Sequence, residues 1–389
     1  MAFKVLIVDD EPDLEVLIRQ RFRKRIKDGE FEFVFAHDGQ EALNRLKEDA
    51  SLDVIMSDIN MPVMDGLTLL SRLSDINRIL KAVIVSAYGD MQNIRTAMNR
   101  GAYDFLIKPI DFTDFETTLN KTIQELEAIK QGLEAREQLS AIQHELGIAA
   151  RIQQSILPRQ FPPFPGRTDF ELFAQMTPAR EVGGDFYDLF LIDNNRLGFV
   201  IGDVSGKGVP AAIFMAVCRT LLKATALQGG SAGECMKYTN DVLTQQSDAA
   251  MFVTVFYGIL HTETGELEYC IAGHNPPYLL TKTGDLSQIT EPSGMMAGAF
   301  EVATFETGRL MMKPDDTIFL YTDGVTEAAN IAGEFFSEER LHQLLERTPS
   351  GSAEEIVSNV LNEVRAFVAG APQSDDVTAM AVTFKSPVG

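Results

Sequence analysis

Cysteine is scarce in this chain, positive charge is in deficit, and the sequence suggests no apolar run that approaches a membrane span. The cysteines among the 389 residues are three, Cys218, Cys235 and Cys270. They are scattered, odd in number and without metal-ligand spacing, which excludes a disulfide framework or a cysteine zinc cluster. They read as buried thiols in a reducing cytosol. Lys and Arg number 34 against 56 Asp and Glu, a formal net charge of −22. With no strongly basic stretch to offset that balance, nonspecific DNA or RNA binding is not expected, although local contacts to a basic partner stay open. A strand pattern begins almost at once, Phe3-Lys-Val-Leu-Ile-Val-Asp9, leaving no room for a signal peptide. The expectation is a cytoplasmic protein without membrane or nucleic-acid partners. Internal repeats and low-complexity tracts are absent too, and the length suits two or three domains.

What is present is organised in blocks. Up to residue 122, short apolar runs alternate with amphipathic stretches. The runs Lys4–Val8, Phe31–Ala36, Val54–Ser57, Ala82–Ser86 and Tyr103–Ile107 predict strands. Helices are predicted around 13–26, 39–49, 66–74, 91–100 and 112–122. That alternation indicates an α/β, doubly wound, five-stranded parallel sheet covered on both faces. In such a sheet, functional residues gather at the strand C-terminal ends.

Residues 113–157 hold no Pro and only two Gly. Leu119, Ile123, Leu126 and Leu133 follow three/four spacing; Leu139, Ile142, Leu146, Ala149 and Ile156 do so again. Polar residues 134–138 break the phase, so one long helix or two, with an interrupted coiled-coil seam, is predicted. The linker is set at 123–157, and an exposed seam of this kind implies a homodimer, the alternative being a helix that packs on its own domains. The Pro-rich turn Leu157-Pro-Arg-Gln-Phe-Pro-Pro-Phe-Pro165 ends the helix. Beyond it, strand-like runs at 170–174, 197–201, 253–260, 267–271, 278–280, 317–321 and 379–384 mix with helical patterns at 209–228, 231–247, 338–346 and 352–369. Short turns between the runs around 253–280 indicate antiparallel hairpins.

Two acidic clusters carry the chemistry. In the first half, Asp9 and Asp10 end the first strand, Asp58 the third, Ser86 the fourth and Lys108 the fifth. Converging carboxylates beside one lysine suit a magnesium ion and a transferred phosphoryl group. The strings Val8-Asp-Asp-Glu-Pro12, Ser57-Asp-Ile-Asn-Met-Pro-Val-Met-Asp-Gly66 and Gly101-Ala-Tyr-Asp-Phe-Leu-Ile-Lys-Pro109 give residues 1–122 a close resemblance to a two-component receiver domain. The resemblance implies Asp58 as phosphoacceptor and Asp9, Asp10, Asp58 and the Asn60 carbonyl as magnesium ligands. It also implies Ser86 and Lys108 as phosphoryl contacts, Phe105 as the aromatic that reorients, a cis Lys108–Pro109 bond, and a cognate histidine kinase.

In the second half, Asp185, Asp203, Asp323 and Asp375, with Asp376 adjacent, each end or follow an apolar run beside Gly or another acid. Clustered carboxylates repel unless cations hold them together. Their motifs contain no His or Cys ligand, which favours magnesium or manganese over zinc. Two such ions roughly 3.5–4 Å apart can share a bridging carboxylate and activate water toward phosphorus.

The strings Ala150-Arg-Ile-Gln-Gln-Ser-Ile-Leu-Pro158, Pro178-Ala-Arg-Glu-Val-Gly-Gly-Asp-Phe-Tyr-Asp188, Gly202-Asp-Val-Ser-Gly-Lys-Gly-Val-Pro-Ala-Ala212, Ala272-Gly-His-Asn-Pro-Pro277, Tyr321-Thr-Asp-Gly-Val-Thr-Glu327 and Asp375-Asp-Val-Thr378 resemble the PPM-class metal-dependent serine/threonine phosphatases. Among these, the likeness is to the bacterial branch of stress-response and sporulation partner switching. It implies an α+β sandwich of two antiparallel sheets flanked by helices over 158–389, with two Mn or Mg ions. Asp203 would bridge the ions and Val204 lend its carbonyl. Asp323 and Asp375 would ligate the second ion, with Asp376 the alternative to Asp375, and Asp185 would ligate directly or through water.

Lys207, His274 and Arg180 are candidate substrate contacts, each with a structural alternative: a turn lysine, a hydrogen-bonding histidine and a surface arginine. The whole implies a response regulator in which phosphorylation controls a phosphoserine/phosphothreonine protein phosphatase acting on an anti-sigma-factor antagonist. The alternative is a phosphorylation-gated binding protein whose phosphatase-like domain does not turn over.

Overall fold

The computed structural model describes residues 2–76, 79–87, 90–246, 251–348 and 351–386. The chain divides into two units, Met1–Ala141 and Ile142–Gly389.

In the first unit the order is β1 (Phe3–Val8), α1 (Pro12–Arg21), α2 (Arg23–Lys27), β2 (Phe31–Ala36), α3 (Gly39–Glu48), β3 (Leu52–Asp58), α4 (Gly66–Leu73), β4 (Lys81–Ala87), α5 (Met91–Asn99), β5 (Asp104–Lys108) and α6 (Phe112–Ile156). The strands form one parallel sheet in the order β2-β1-β3-β4-β5. Successive side chains alternate between its faces. Val5 and Ile7 thus join Val54, Met56, Val83 and Val85 in one core, while Leu6, Val8, Ile55 and Ile84 join the other. Caps start the covering helices: Asp38 accepts from the Gln40 and Glu41 N–H groups, and Asp65 from that of Thr68.

A single helix occupies Phe112–Ile156, so the break in apolar phase at 134–138 does not end it. Its first apolar register is not an open seam, because Leu119, Ile123 and Leu126 are buried in the first unit's own core. Leu133, Leu139 and Ile142 are exposed.

The second unit continues with β6 (Phe170–Thr177), β7 (Phe186–Leu191), β8 (Arg196–Val204), α7 (Val209–Ala226), α8 (Ala232–Gln246), β9 (Val253–His261), β10 (Glu266–Ala272), β11 (Tyr278–Leu280), β12 (Leu286–Gln288), β13 (Ser293–Gly294), β14 (Gly308–Met311), β15 (Thr317–Tyr321), α9 (Asp323–Thr326), α10 (Ser337–Glu346), α11 (Ala353–Val368) and β16 (Val377–Phe384). The expected end of α8 at residue 247 lies outside the described residues. One sheet runs β13-β10-β9-β8-β7 with β14 also on β10, the other β12-β11-β15-β16-β6. Pairing is antiparallel except between β10 and β13.

Alternation builds the layers. Ile318 and Leu320 of β15, with Met380 and Val382 of β16, face the inter-sheet core, which α7 and α8 extend. Phe319, Tyr321, Ala379 and Ala381 face the other way, onto α9, α10 and α11. This is the expected multidomain architecture: a five-stranded parallel unit, a long helix and an α+β sandwich flanked by helices.

Helix α7 corrects one reading of the sequence, since it is long and apolar enough by length and composition to cross a membrane. Here it lays Ala211, Met215, Cys218 and Leu222 into the core, and its Arg219 pairs with the buried Asp188 of β7 at 2.8 Å.

Candidate functional site

In the first unit Asp9 and Asp10 follow β1, and Asp58 closes β3. These three are the only group of metal-ligating side chains among the described residues whose ligand atoms all lie within 4.8 Å of one another. Lys108, the last residue of β5, closes the group. Its Nζ is 2.6 Å from Asp58 Oδ2, 2.9 Å from Asp9 Oδ2 and 3.2 Å from Glu11 Oε1. Burial works against the ammonium charge, but its bonds to Asp58 and Asp9 outweigh it and hold the lysine well above its usual range. Asp9 is raised, chiefly by burial.

The Asn60 N–H donates to Asp58 Oδ1 at 3.4 Å. Ser86 is buried in β4 and Phe105 half-buried in β5. The Lys108–Pro109 bond is cis. Glu11 received no role from the sequence, although it stands in the acidic string that precedes α1.

In the second unit the acids stand at strand ends. Asp185 precedes β7, Asp203 and Val204 end β8, Asp323 follows β15 and opens α9, and Asp375 and Asp376 precede β16. Asp185 is buried, and its Oδ2 accepts from the Thr322 hydroxyl at 2.7 Å and the Thr378 hydroxyl at 2.5 Å. Asp203 lies close enough for its charge to act on Asp185. Burial, then the charges of Asp323 and Asp375, push Asp203 up to about 7. Asp185 is raised by burial and by Asp203 and Asp376. Asp323 is raised by burial, Glu327 and Asp375. Burial is the first cause in all three and neighbouring carboxylates add to it; a cation bound among them would oppose both. The donors are all hard oxygens, which fits Mg or Mn.

Asp376 behaves differently. Its Oδ1 accepts from the Ala179 N–H at 2.8 Å, and its Oδ2 from those of Gly184 at 2.7 Å and Asp185 at 3.3 Å. Both oxygens are thereby spent on backbone. Asp375 is more exposed, and Lys207 Nζ lies 2.7 Å from its Oδ2. Gly324 is required beside it, because a Cβ there would overlap the Asp376 backbone carbonyl.

Arg180 is exposed, near enough for its charge to be felt at Lys207. His274 is buried, with Nδ1 3.1 Å from Thr254 Oγ1, and burial pushes it down to about 4. Thr322 and Thr378 lie inside the motifs quoted above yet drew no role, because a threonine beside an acid has no distinctive spacing.

Comparisons with known proteins fall on the same two units. The family description of the response regulator receiver domain matches residues 5–120, and that of stage II sporulation protein E matches residues 193–385. The chemotaxis protein CheY of Bacillus subtilis is 35% identical over 124 residues, covering 32% of this chain and 99% of CheY. Phosphoserine phosphatase RsbU of Bacillus subtilis is 29% identical over 223 residues, covering 57% of this chain and 65% of RsbU. The solved SiaA-PP2C domain of Pseudomonas aeruginosa has a TM-score of 0.57 at 21% identity, covering 64% of this chain and 98% of that one, a likeness of fold.

A parallel sheet ending in an acidic pocket, followed by a PP2C-like sandwich with acids at its strand ends, defines a response regulator with a phosphatase-type output unit. The chain belongs to the response regulator receiver family through its first unit, and its second unit matches stage II sporulation protein E. The chain spans 41% of the length of protein IcfG of Synechocystis, 65% of RsbU and 45% of RsbP of Bacillus subtilis.

Proposed function

We propose that this chain is a response regulator in which phosphorylation of Asp58 controls a Mg- or Mn-dependent phosphoserine/phosphothreonine protein phosphatase. The working division is receiver 1–122, helical linker 123–157 and phosphatase domain 158–389. The observation that carries the catalytic half is the meeting of acids from separate strand ends: buried Asp185, held by the Thr322 and Thr378 hydroxyls, beside Asp203 under the charges of Asp323 and Asp375. Asp203, the Val204 carbonyl, Asp323 and Asp375 would hold two ions, with Asp185 ligating directly or through water. The engagement of both Asp376 oxygens by backbone supports Asp375 over Asp376. Bound divalent ions supply activation of water and neutralisation of phosphate charge.

The chain's own groups do the rest. Lys207, paired with Asp375 and exposed, is placed to meet a substrate phosphate, with Arg180 near it. Burial and the Thr254 contact favour a positioning role for His274 over acid catalysis. In the receiver, an Asp58 oxygen attacks phosphorus as the kinase's phosphohistidine bond breaks. Asp9, Asp10 and the Asn60 carbonyl would hold magnesium. Lys108 neutralises the acyl phosphate, the Ser86 hydroxyl donates to it, and Phe105 turns in response.

The signal would pass along α6, whose exposed Leu133, Leu139 and Ile142 suit a homodimer seam, to residues 145–157. Likeness to phosphoserine phosphatase RsbU supports a phosphoprotein substrate, and the family resemblance makes that substrate an anti-sigma-factor antagonist.

The test is a manganese-dependent assay on a phosphoserine protein, with and without an acyl-phosphate mimic on the receiver. Asp203→Asn should abolish turnover while Asp58 still accepts phosphate. Retained turnover would falsify the site. Tight phosphoprotein binding without any wild-type turnover would favour the gated binding protein.

A further inference from the structure

Helix α11 ends abruptly. After Val368 the chain turns through Ala369 and Gly370, both in the left-handed region at φ 49° and 88°, and the Ala371 N–H returns to the Val368 carbonyl at 3.0 Å. The residues up to Asp375 therefore stand off the helix instead of continuing along it. Gln373 ties them there: its Nε2 donates to the Thr177 carbonyl at 2.8 Å and to the Asp375 carbonyl at 2.6 Å. Between this loop, α11 and the start of β16 lies a cavity of about 260 Å³. Ala328, Leu361, Val364, Val368 and Val377 give it apolar walls, and Ser374 and Asp375 join it to the acidic site.

Size and surroundings say what fits. A cavity of about 150 Å³ admits a benzene-sized ring, so this one takes a single large apolar side chain. It is smaller than the roughly 300–1,000 Å³ of sites for free small molecules. Its wall also runs on into exposed surface. The bridge Ala329–Phe335 closes a hairpin directly after Ala328, and that hairpin exposes Ile331 and Phe335, at 78% and 59%. Apolar side chains left in water beside a pocket mark a surface that meets protein. The two residues that join the pocket to the acidic site also receive Lys207, whose Nζ is 2.7 Å from the Ser374 carbonyl and 2.7 Å from Asp375 Oδ2. A phosphoserine held at Lys207 brings its sequence neighbours to this pocket, since an extended chain advances only about 3.3 Å per residue.

We propose, on the phosphatase reading above, that this pocket is a substrate subsite. It takes an apolar side chain close in sequence to the phosphoserine of the target protein, and so selects among phosphoproteins.

The test assays full-length protein, with MnCl2 and an acyl-phosphate mimic on the receiver, on synthetic phosphoserine peptides. These are identical except for leucine or serine at each flanking position in turn. In wild type, leucine at one of these positions should raise kcat/KM at least about tenfold over serine, the scale on which a pocket favours an apolar group. Calorimetric binding of non-hydrolysable phosphonate analogues of the two peptides should show the same contrast. Ala371→Leu, which fills the cavity from the loop, should abolish the preference. Should that variant not fold, Val368→Thr decides: it keeps the shape, sets a hydroxyl among the apolar walls, and should cut the preference at least about fivefold. Glu363→Gln, exposed on α11 and outside the pocket, should match wild type. Equal handling of leucine and serine peptides by wild type, or an unchanged preference in the folded pocket variants, would overturn the subsite. A leucine preference in binding with no turnover of any peptide would uphold the subsite and remove the phosphatase reading instead.

Discussion

Lys108 Nζ sits 2.6 Å from Asp58 Oδ2 and 2.9 Å from Asp9 Oδ2, one cation shared by two nearly buried carboxylates. Removing it leaves those acids facing each other without a counter-charge. Lys108→Ala should lower metal-free stability by about 1–3 kcal/mol, the scale of a lost charged hydrogen bond. Added MgCl2 should recover more stability in the variant than in wild type. Thermal melts with and without magnesium check this; equal magnesium shifts would mean that Asp9 and Asp58 do not bind the ion.

The second acidic site carries a definite sign of pH dependence. In the metal-free protein Asp203 is pushed up to about 7, with burial the first cause, and Asp185 and Asp323 are raised with it. An unfolded aspartate titrates near about 3.9. Between the two values the folded state binds more protons than the unfolded state, so this contribution is present at low pH. It declines as pH rises from about 4 to about 7. Mn²⁺ competes with the same protons, so its affinity should climb over that window. Melts in EDTA across the window, compared with Asp203→Asn, measure the difference. An identical pH slope in the two proteins would contradict the elevation.

Asp188 is a buried acid outside the proposed metal set. Arg219 Nη2 lies 2.8 Å and Lys223 Nζ 3.2 Å from its Oδ2, with the aspartate side chain 1% exposed. Asp188→Ala should cost about 3–5 kcal/mol, because it strands a nearly buried guanidinium. Pairing Asp188→Leu with Arg219→Met should regain most of that loss. Denaturant unfolding reports both, and a neutral single variant would show the pair to be energetically idle.

Leu139 and Ile142 on α6 are 56% and 55% exposed. Replacing both with glutamate leaves helix propensity nearly intact but places charge in the proposed seam. Sedimentation should shift toward the monomer mass while helical circular dichroism persists. A wild-type mass distribution would rule out a dimer through these positions.

The strands of the first unit were legible because each is a short apolar run bounded by turn chemistry, and the expected spans lie within a residue or two of those observed. Strand β7 was not seen in advance. Phe186, Tyr187, Leu189 and Phe190 are buried alike, so the run shows no alternation, and Asp188 in its midst looks like a breaker. Its partner Arg219 lies beyond β8 in sequence, within α7. The fate of Leu119, Ile123 and Leu126 was likewise undecided by spacing, since the same three/four pattern serves an intermolecular seam or packing on the unit's own sheet.

The sequence by itself determined the order of most elements, the doubly wound sheet and the two sets of aspartates beside apolar runs, because periodicity and turn residues are local properties of the chain; the sandwich was implied only by family resemblance. Only the tertiary structure decided which acid spends its oxygens on backbone, and that Asp376 holds Gly184 and Asp185 while Asp375 faces Lys207. Those assignments depend on side-chain direction and on contacts between residues far apart in sequence, which neighbouring identities do not encode.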